Sequence, residues 1–278
     1  MKFTILGGNG FIGGNLARAL VAQGHNVQVP VRPLEPLPGR EDLGHVVYAI
    51  GLTADFRQRT PEAIEAHAHL LARLLQSATF ESWLYLSSTR VYEHSAPEEQ
   101  ADEVRSIRVS AGADAIYDLG KLLGESVCLA HASPTVRVAR LSNVYGHGQS
   151  RRNFLGSVIA ELRENGRAKI HEDPESSKDY VCIDDVVKTL PLISMHGRER
   201  IYNVASGLRT SHRQLAAILD RCLGGIIEFA PDSPIRKFPT ISIQRLTREF
   251  GYAPIAPETG ISSMLSSTPD ANHATDPV

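Results

Sequence analysis

Cysteine is scarce in this chain. Its three cysteines, Cys128, Cys182 and Cys222, are odd in number and far apart. They suggest neither a disulfide framework nor a metal pattern. A reducing compartment, the cytoplasm, is the expectation. Eleven histidines are present, yet no His-x-x-x-His or Cys-x-x-Cys spacing occurs. His67 and His69 sit two apart and diverge on a helix, so no bound metal is expected. No apolar run approaches the ~18 residues that span a bilayer. The first strand is expected at Lys2 or Phe3, which leaves no room for a secretory leader. Charge of either sign is not in excess: 29 basic against 31 acidic residues give a net charge of −2. Nothing there calls for nucleic acid or an anionic membrane as partner. There is no internal repeat.

What is present begins six residues in. Gly7-Gly8-Asn9-Gly10-Phe11-Ile12-Gly13 follows a short apolar run (Phe3 to Leu6). It precedes an amphipathic stretch with Leu16, Ala19 and Leu20. That is strand, glycine turn, helix. Glycines 7, 10 and 13 permit a sharp turn, close approach to a pyrophosphate and tight helix–strand packing. The free N–H groups and dipole at the helix start favour phosphate. Gly7, Asn9, Gly10, Phe11, Ile12 and Gly13 are therefore expected to bind a dinucleotide.

Further strands are expected at Val27–Val31, 45–50, 83–86 and 135–141, with helices at 61–76 and about 115–131. This alternation predicts an α/β fold: a Rossmann-type doubly wound parallel sheet covered on both faces. Residues 33–44 and 93–114 read as loops. Beyond Asn143 the pattern changes. Helices are expected at 154–165, 185–195 and 211–223, with strands at 179–183, 201–204, 226–229 and 240–243. Residues 1–142 thus form a dinucleotide-binding domain, to which some later segments return. Residues 143–265 mainly form a smaller C-terminal α/β substrate-binding domain, and 266–278 a flexible tail.

Two further features carry chemistry. Tyr117 and Lys121 stand four apart and share one helix face. A cation beside a phenol favours the phenolate, so Lys121 and an oxidised nicotinamide are together expected to lower the Tyr117 pKa. Leu86-Ser87-Ser88-Thr89-Arg90-Val91-Tyr92 begins at the carboxyl end of a parallel strand, where ligands gather in open α/β sheets.

The glycine motif, Ser88, Tyr117 and Lys121 together resemble the extended short-chain dehydrogenase/reductase family of nucleotide-sugar epimerases, dehydratases and reductases. Ser87 through Tyr92 is similar to its Ser-Ser-x-x-Val-Tyr segment, and Tyr117, Lys121 and Glu125 to its Tyr-x-x-x-Lys with a following glutamate. Arg140–Gly146, Lys178–Val186 and Ile201–Gly207 resemble three later motifs, the last a strand of the substrate domain. The resemblance covers most of the chain. It implies Ser88, Tyr117 and Lys121 as catalytic residues. Tyr117 would be the general acid/base, Lys121 would also hold the nicotinamide ribose, and Ser88 would position the reacting oxygen. It implies an NAD(P)-dependent, epimerase-type reaction on a nucleotide diphosphate sugar through a transient 4-keto intermediate. An NADPH-dependent 4-keto-sugar reductase is the alternative; a sugar 4,6-dehydratase and a non-catalytic dinucleotide-binding regulator rank lower. Substrate contacts are expected from Ser88, Arg90, Asn143 and His147, with Arg151 and Arg152 nearby. Helices 61–76 and 115–131 resemble those through which the family forms homodimers.

Two departures matter. The segment 32–44 is too short for the further strand and helix the family carries there. An acid is expected about 20 residues beyond the glycines to meet the ribose; Val31-Arg32-Pro33 stands there, with Glu35 the nearest acid. Arg32 suits a 2′-phosphate, which favours NADP while leaving NAD open. The dehydratases carry Asp-Glu after the catalytic hydroxyl. Thr89 and Arg90 replace them, and arginine stays protonated. Elimination would then need another acid, such as Glu98, Glu99, Asp102 or Glu103.

Overall fold

The computed structural model describes residues 1–31, 42–52, 55–96, 98–112 and 115–267. The first half runs β1 (Lys2–Leu6), α1 (Phe11–Ala22), β2 (Asn26–Gln28), β3 (His45–Tyr48), α2 (Thr60–Ile64), a π-helical turn (Glu65–His69) and α3 (Leu70–Ser77). It continues with β4 (Ser82–Ser88), a 3-10 turn (Thr89–Tyr92), β5 (Gln100–Ala101), α4 (Ile116–Ala130) and β6 (Val136–Leu141). Next come β7 (Asn143–Tyr145), α5 (Phe154–Asn165), β8 (Arg167–Ile170), β9 (Ser177–Cys182), α6 (Ile183–His196) and β10 (Ile201–Val204). The chain closes with β11 (Arg209–Ser211), α7 (His212–Leu223), β12 (Ile226–Phe229), β13 (Thr240–Ile241), α8 (Gln244–Phe250) and α9 (Pro257–Ser266).

Six parallel strands form the main sheet in the order β10-β6-β4-β3-β1-β2. Their side chains alternate between two apolar layers, as a sheet covered on both faces requires. Phe3, Ile5, Val47, Leu84, Leu86 and Ala139 pack with Leu16 and Leu20 of α1 and Val186, Leu190 and Ile193 of α6. Tyr48, Trp83, Tyr85, Val136 and Val138 pack on the other face with Leu71, Leu74 and Leu75 of α3 and Cys128 of α4. A third core joins Tyr145, Leu155, Ile159, Tyr180, Leu215, Ile218 and Ile261 from the later segments. No helix among the described residues is long and apolar enough to cross a membrane.

The doubly wound sheet is as expected, with differences in detail. β2 stops at Gln28, and Val31 is exposed, because an edge strand pairs with β1 alone and buries little. Ile201–Val204 is not a strand of the substrate-binding part. It pairs with β6 in the main sheet, Ile201 opposite Val138. The single helix expected over 61–76 is broken by the π turn. Pro191 lies inside α6 without ending it. Ser211 caps α7 through the Gln214 N–H in a full capping box. Arg32 and Glu35 lie outside the described residues, as does the tail from 268.

One buried polar cluster ties these layers together. Glu125 of α4 and Arg140 of β6 are 2% and 3% exposed. Arg140 donates through Nε and Nη2 to the Glu125 carboxylate at 3.0 and 2.6 Å, and through Nη1 to the Tyr92 hydroxyl at 2.6 Å. Ser87 donates to Glu125 at 2.5 Å, and Tyr92 donates to Asn203 of β10 at 3.0 Å. Removing one partner leaves an uncompensated buried charge. Arg140→Ala should cost about 3–5 kcal/mol in urea unfolding. The double change Glu125→Leu with Arg140→Met should cost clearly less; an equal loss would refute this account of the pair.

Candidate active site

The glycine turn ends β1 and starts α1. Gly7 adopts φ +90°, and a Cβ there would come within 2.8 Å of the Ala49 carbonyl carbon and the Ile50 nitrogen. A Cβ at Gly13 would collide with the Gly7 carbonyl. Gly10 N–H donates to Gly7 O at 3.0 Å, and around Gly10 itself the space is open to 3.4 Å. No side chain caps the start of α1. Its first N–H groups therefore remain available to an anion. Asn9 is exposed at the tip. Phe11 and Ile12 pack their side chains on the core, so their contribution to a phosphate is their backbone N–H. This cradle fits the pyrophosphate of a dinucleotide.

The catalytic candidates meet at the carboxyl end of β4. Ser88 is its last residue and accepts the Arg90 N–H at 3.2 Å, which starts the 3-10 turn. Tyr117 and Lys121, one turn apart on α4, are 6% and 5% exposed. The Ser88 hydroxyl lies beside the Tyr117 phenol and favours its ionised form. Lys121 Nζ donates to Leu86 O at 2.9 Å and lies 5.8 Å from the Tyr117 ring centroid. All three are thus brought together.

Their ionisation differs from the expectation. Burial dominates at Tyr117 and pushes its pKa up to about 12; the Ser88 hydroxyl and the Arg90 charge pull it the other way. Lys121 is not what sets the phenol in the protein alone. Burial also pulls Lys121 itself down to about 8, against the Glu125 charge.

Arg90 lies against this pair. Its guanidinium stands 5.6 Å from the Phe56 ring and 5.5 Å from the Tyr117 ring. Its Nε is 3.3 Å from both Glu93 and Asp118. Burial raises Asp118 to about 6, with Arg90 opposing. A cleft of about 160 Å3 opens here, lined by Ser88, Thr89, Arg90, Glu93, Asn143, Lys178, Asp179, Arg236 and Phe238. Asn143 Nδ2 donates to Asp179 O at 2.8 Å. The buried Asp179 carboxylate accepts from Ser142 Oγ at 2.6 Å and Ser206 N at 2.9 Å. That fixes β9, and with it Lys178, beside the end of β6.

Other expected residues go elsewhere. His147 Nε2 is 2.8 Å from Ser267 Oγ and does not line the cleft. Arg151 pairs with Glu164, and Arg152 with Asp55 at 3.7 Å. Glu99 pairs with Arg105, Asp102 accepts the Val104 N–H, and Glu103 accepts the Asn203 N–H. The carboxylate that enters the cleft with Asp179 is Glu93. Sequence reasoning missed Glu93, Lys178, Arg236 and Phe238. Lys178 stood in a quoted motif; Arg236 and Phe238 come from a loop with no periodic signal.

This fold and site define the class. Residues 34–205 match the model of the NAD dependent epimerase/dehydratase family. The chain belongs to that family and is an enzyme of it. It is 29% identical over 147 residues to dTDP-glucose 4,6-dehydratase of Streptomyces griseus, covering 50% of this chain and 44% of that enzyme. The match therefore spans less than half of that relative. UDP-glucuronic acid decarboxylase 1 of Xenopus tropicalis is 24% identical over 302 residues, covering 95% of this chain and 71% of the decarboxylase. Among solved structures, RMD from Pseudomonas aeruginosa complexed with NADPH is 25% identical with a TM-score of 0.77, covering 96% and 99% of the two chains. Other structural neighbours hold NAD.

Lys121 gives a testable pH dependence. The exposed amine of an unfolded chain keeps its proton up to about 10.5, the folded one only to about 8. Between those values the unfolded chain binds more protons, so folding gains stability as pH rises. Relative to Lys121→Met, the wild type should gain roughly 2–3 kcal/mol between pH 8 and pH 10. A pH-independent difference in urea unfolding would show that the amine is solvated.

Proposed function

We propose that this enzyme oxidises and re-reduces one carbinol of a nucleotide diphosphate sugar, an epimerase-type reaction through a transient 4-keto intermediate. One observation carries the reading. Ser88, which neighbours Tyr117 and Lys121 at the end of β4, lines a cleft together with Arg90, Asn143, Lys178 and Arg236. Three cations suit a diphosphate, and the guanidinium forks match its oxygens. The bound nicotinamide supplies reversible hydride chemistry. Ser88 holds the reacting oxygen. On oxidation the phenolate of Tyr117, favoured by the charges of Lys121 and Arg90 against burial, would take the carbinol proton; on re-reduction the phenol would return that proton to the ketone oxygen.

For the cofactor we favour NADP, on Arg32 in the sequence. The same argument supports the second reading, an NADPH-dependent reduction of a 4-keto sugar, and the NADPH of the RMD neighbour is consistent with it. Dehydration is disfavoured, because Thr89 and Arg90 follow Ser88 and Glu93 is held at 3.3 Å by Arg90. A homodimer belongs to the proposal. Leu119 and Leu123, one turn apart on α4, and Ile64 of α2 are 46%, 53% and 49% exposed.

The test is a panel of uridine, thymidine, guanosine and cytidine diphosphate sugars, each with NAD and with NADPH, read by mass spectrometry and NMR. An epimerase yields an isomer without net change in nicotinamide absorbance; a reductase consumes NADPH stoichiometrically. Tyr117→Phe should lower turnover by about 10²–10⁴-fold and keep cofactor affinity. Undiminished turnover would remove the mechanism.

A further inference from the structure

His67 stands at the middle of the π-helical turn Glu65–His69, between α2 and α3. Such turns are rare and recur at functional sites. This one carries a fully buried histidine. The ring Nε2 accepts the Leu52 N–H at 3.2 Å. A backbone N–H can only donate, so a neutral ring carries its hydrogen on Nδ1. Nδ1 is buried without a hydrogen-bond partner, a costly arrangement that needs a reason.

The surroundings supply one. The ring meets the Tyr117 ring at 87° with centroids 5.3 Å apart, an edge-to-face contact. A Cβ at Gly120 would come within 3.0 Å of Nδ1. One at Gly51 would come within 3.4 Å of Nε2 and 3.3 Å of Lys121 Nζ. Both glycines leave space that the ring and the amine share. The His67 carbonyl accepts the Tyr85 hydroxyl at 3.2 Å, and a Cβ at Gly124 would come within 2.5 Å of that carbonyl. One residue thus touches the segment after β3, strand β4 and successive turns of α4.

We propose that His67 is the positioning residue of the Tyr117–Lys121 pair: its ring, wedged between the Leu52 amide and the glycine-lined face of α4, sets the depth and angle of the phenol and the amine. The groups facing it are Tyr117 and Lys121 of α4 and Tyr85 of β4. Burial and the Lys121 charge hold His67 down to about 3, so it adds no second positive charge beside the amine at neutral pH.

The first arm of the test does not depend on the reaction proposed above. Lysine 13Cε NMR on the full chain without substrate, assigned by Lys121→Met, follows the Lys121 titration. It lies near 8 in the wild type. In His67→Ala it should rise clearly toward its ordinary value as water enters the vacated space. In His67→Gln, whose amide oxygen reaches the position of Nε2 and can accept the Leu52 N–H, it should stay near the wild-type value. An unmoved Lys121 in His67→Ala overturns the proposal. The second arm rests on that reaction. With the nucleotide sugar found in the panel, His67→Ala should lower kcat by about 100-fold with KM within about twofold, and His67→Gln should recover at least about tenfold of it. Should His67→Ala fail to fold, His67→Gln is compared with His67→Leu, which cannot accept the Leu52 N–H; equal kcat in those two overturns the proposal. A panel without turnover refutes the reaction, and the lysine titration still decides the role of His67.

Discussion

The ion pair between Glu125 and Arg140 is the constraint on which the site depends. Both groups are almost wholly removed from water, and each is tolerable there only because the other is present. Glu125 lies four residues after Lys121 and eight after Tyr117, so all three share a face of α4. Fastening Glu125 to β6 therefore fixes the rotation of that helix about its axis. It delivers the phenol and the amine to the end of β4 rather than to solvent. Ser87 donates to the same carboxylate, and alternation along the strand leaves Ser88 at the opening. The pair also acts at a distance: the Glu125 charge is what opposes burial at Lys121 and keeps its ammonium form accessible.

Burial and charge compete throughout this site, and burial wins more often than a count of charges suggests. Tyr117 is raised, Lys121 and His67 are lowered, and Asp118 is raised, each with desolvation as the leading cause. All four shifts favour the neutral form. The site is thus one where charges are few and each matters, because the low dielectric that suppresses them also lengthens their reach. Arg90 lies over Phe56 and Tyr117 while meeting Glu93 and Asp118.

Much of this was legible in the sequence, for physical reasons that also explain the failures. Buried parallel strands and amphipathic helices announce themselves by period, so β1, β3, β4, β6, α1, α4 and α5 stand close to where they were expected. Two-residue strands have no period, and β5 pairing with β13 was invisible. Ile201, Tyr202 and Val204 mark a strand but not the sheet it joins. The π turn hides because one added residue barely disturbs a helical pattern, and His67 therefore read as one of a diverging pair. Ser88, Tyr117 and Lys121 were picked out by the resemblance, since a strand end and a four-residue spacing are local signals too common to do so alone. Arg236 and Glu93, brought to within 4.0 Å of each other from segments more than a hundred residues apart, were not. The burial that raises Tyr117 was not legible, because a sequence displays charges but not the water that has been removed.

The polarity of the cleft then limits which chemistry suits it. Arg90, Lys178 and Arg236 line it beside the carboxylates of Glu93 and Asp179. Asp179 is buried and spends one oxygen on Ser142 and Ser206, so it holds structure. Glu93 lies 3.3 Å from Arg90 and 4.0 Å from Arg236. Guanidiniums thus flank the Glu93 carboxylate on two sides. A phosphate group entering the cleft would meet the same guanidiniums with more charge and better-matched oxygens than Glu93 offers. The arrangement therefore suits an anionic group better than a neutral one.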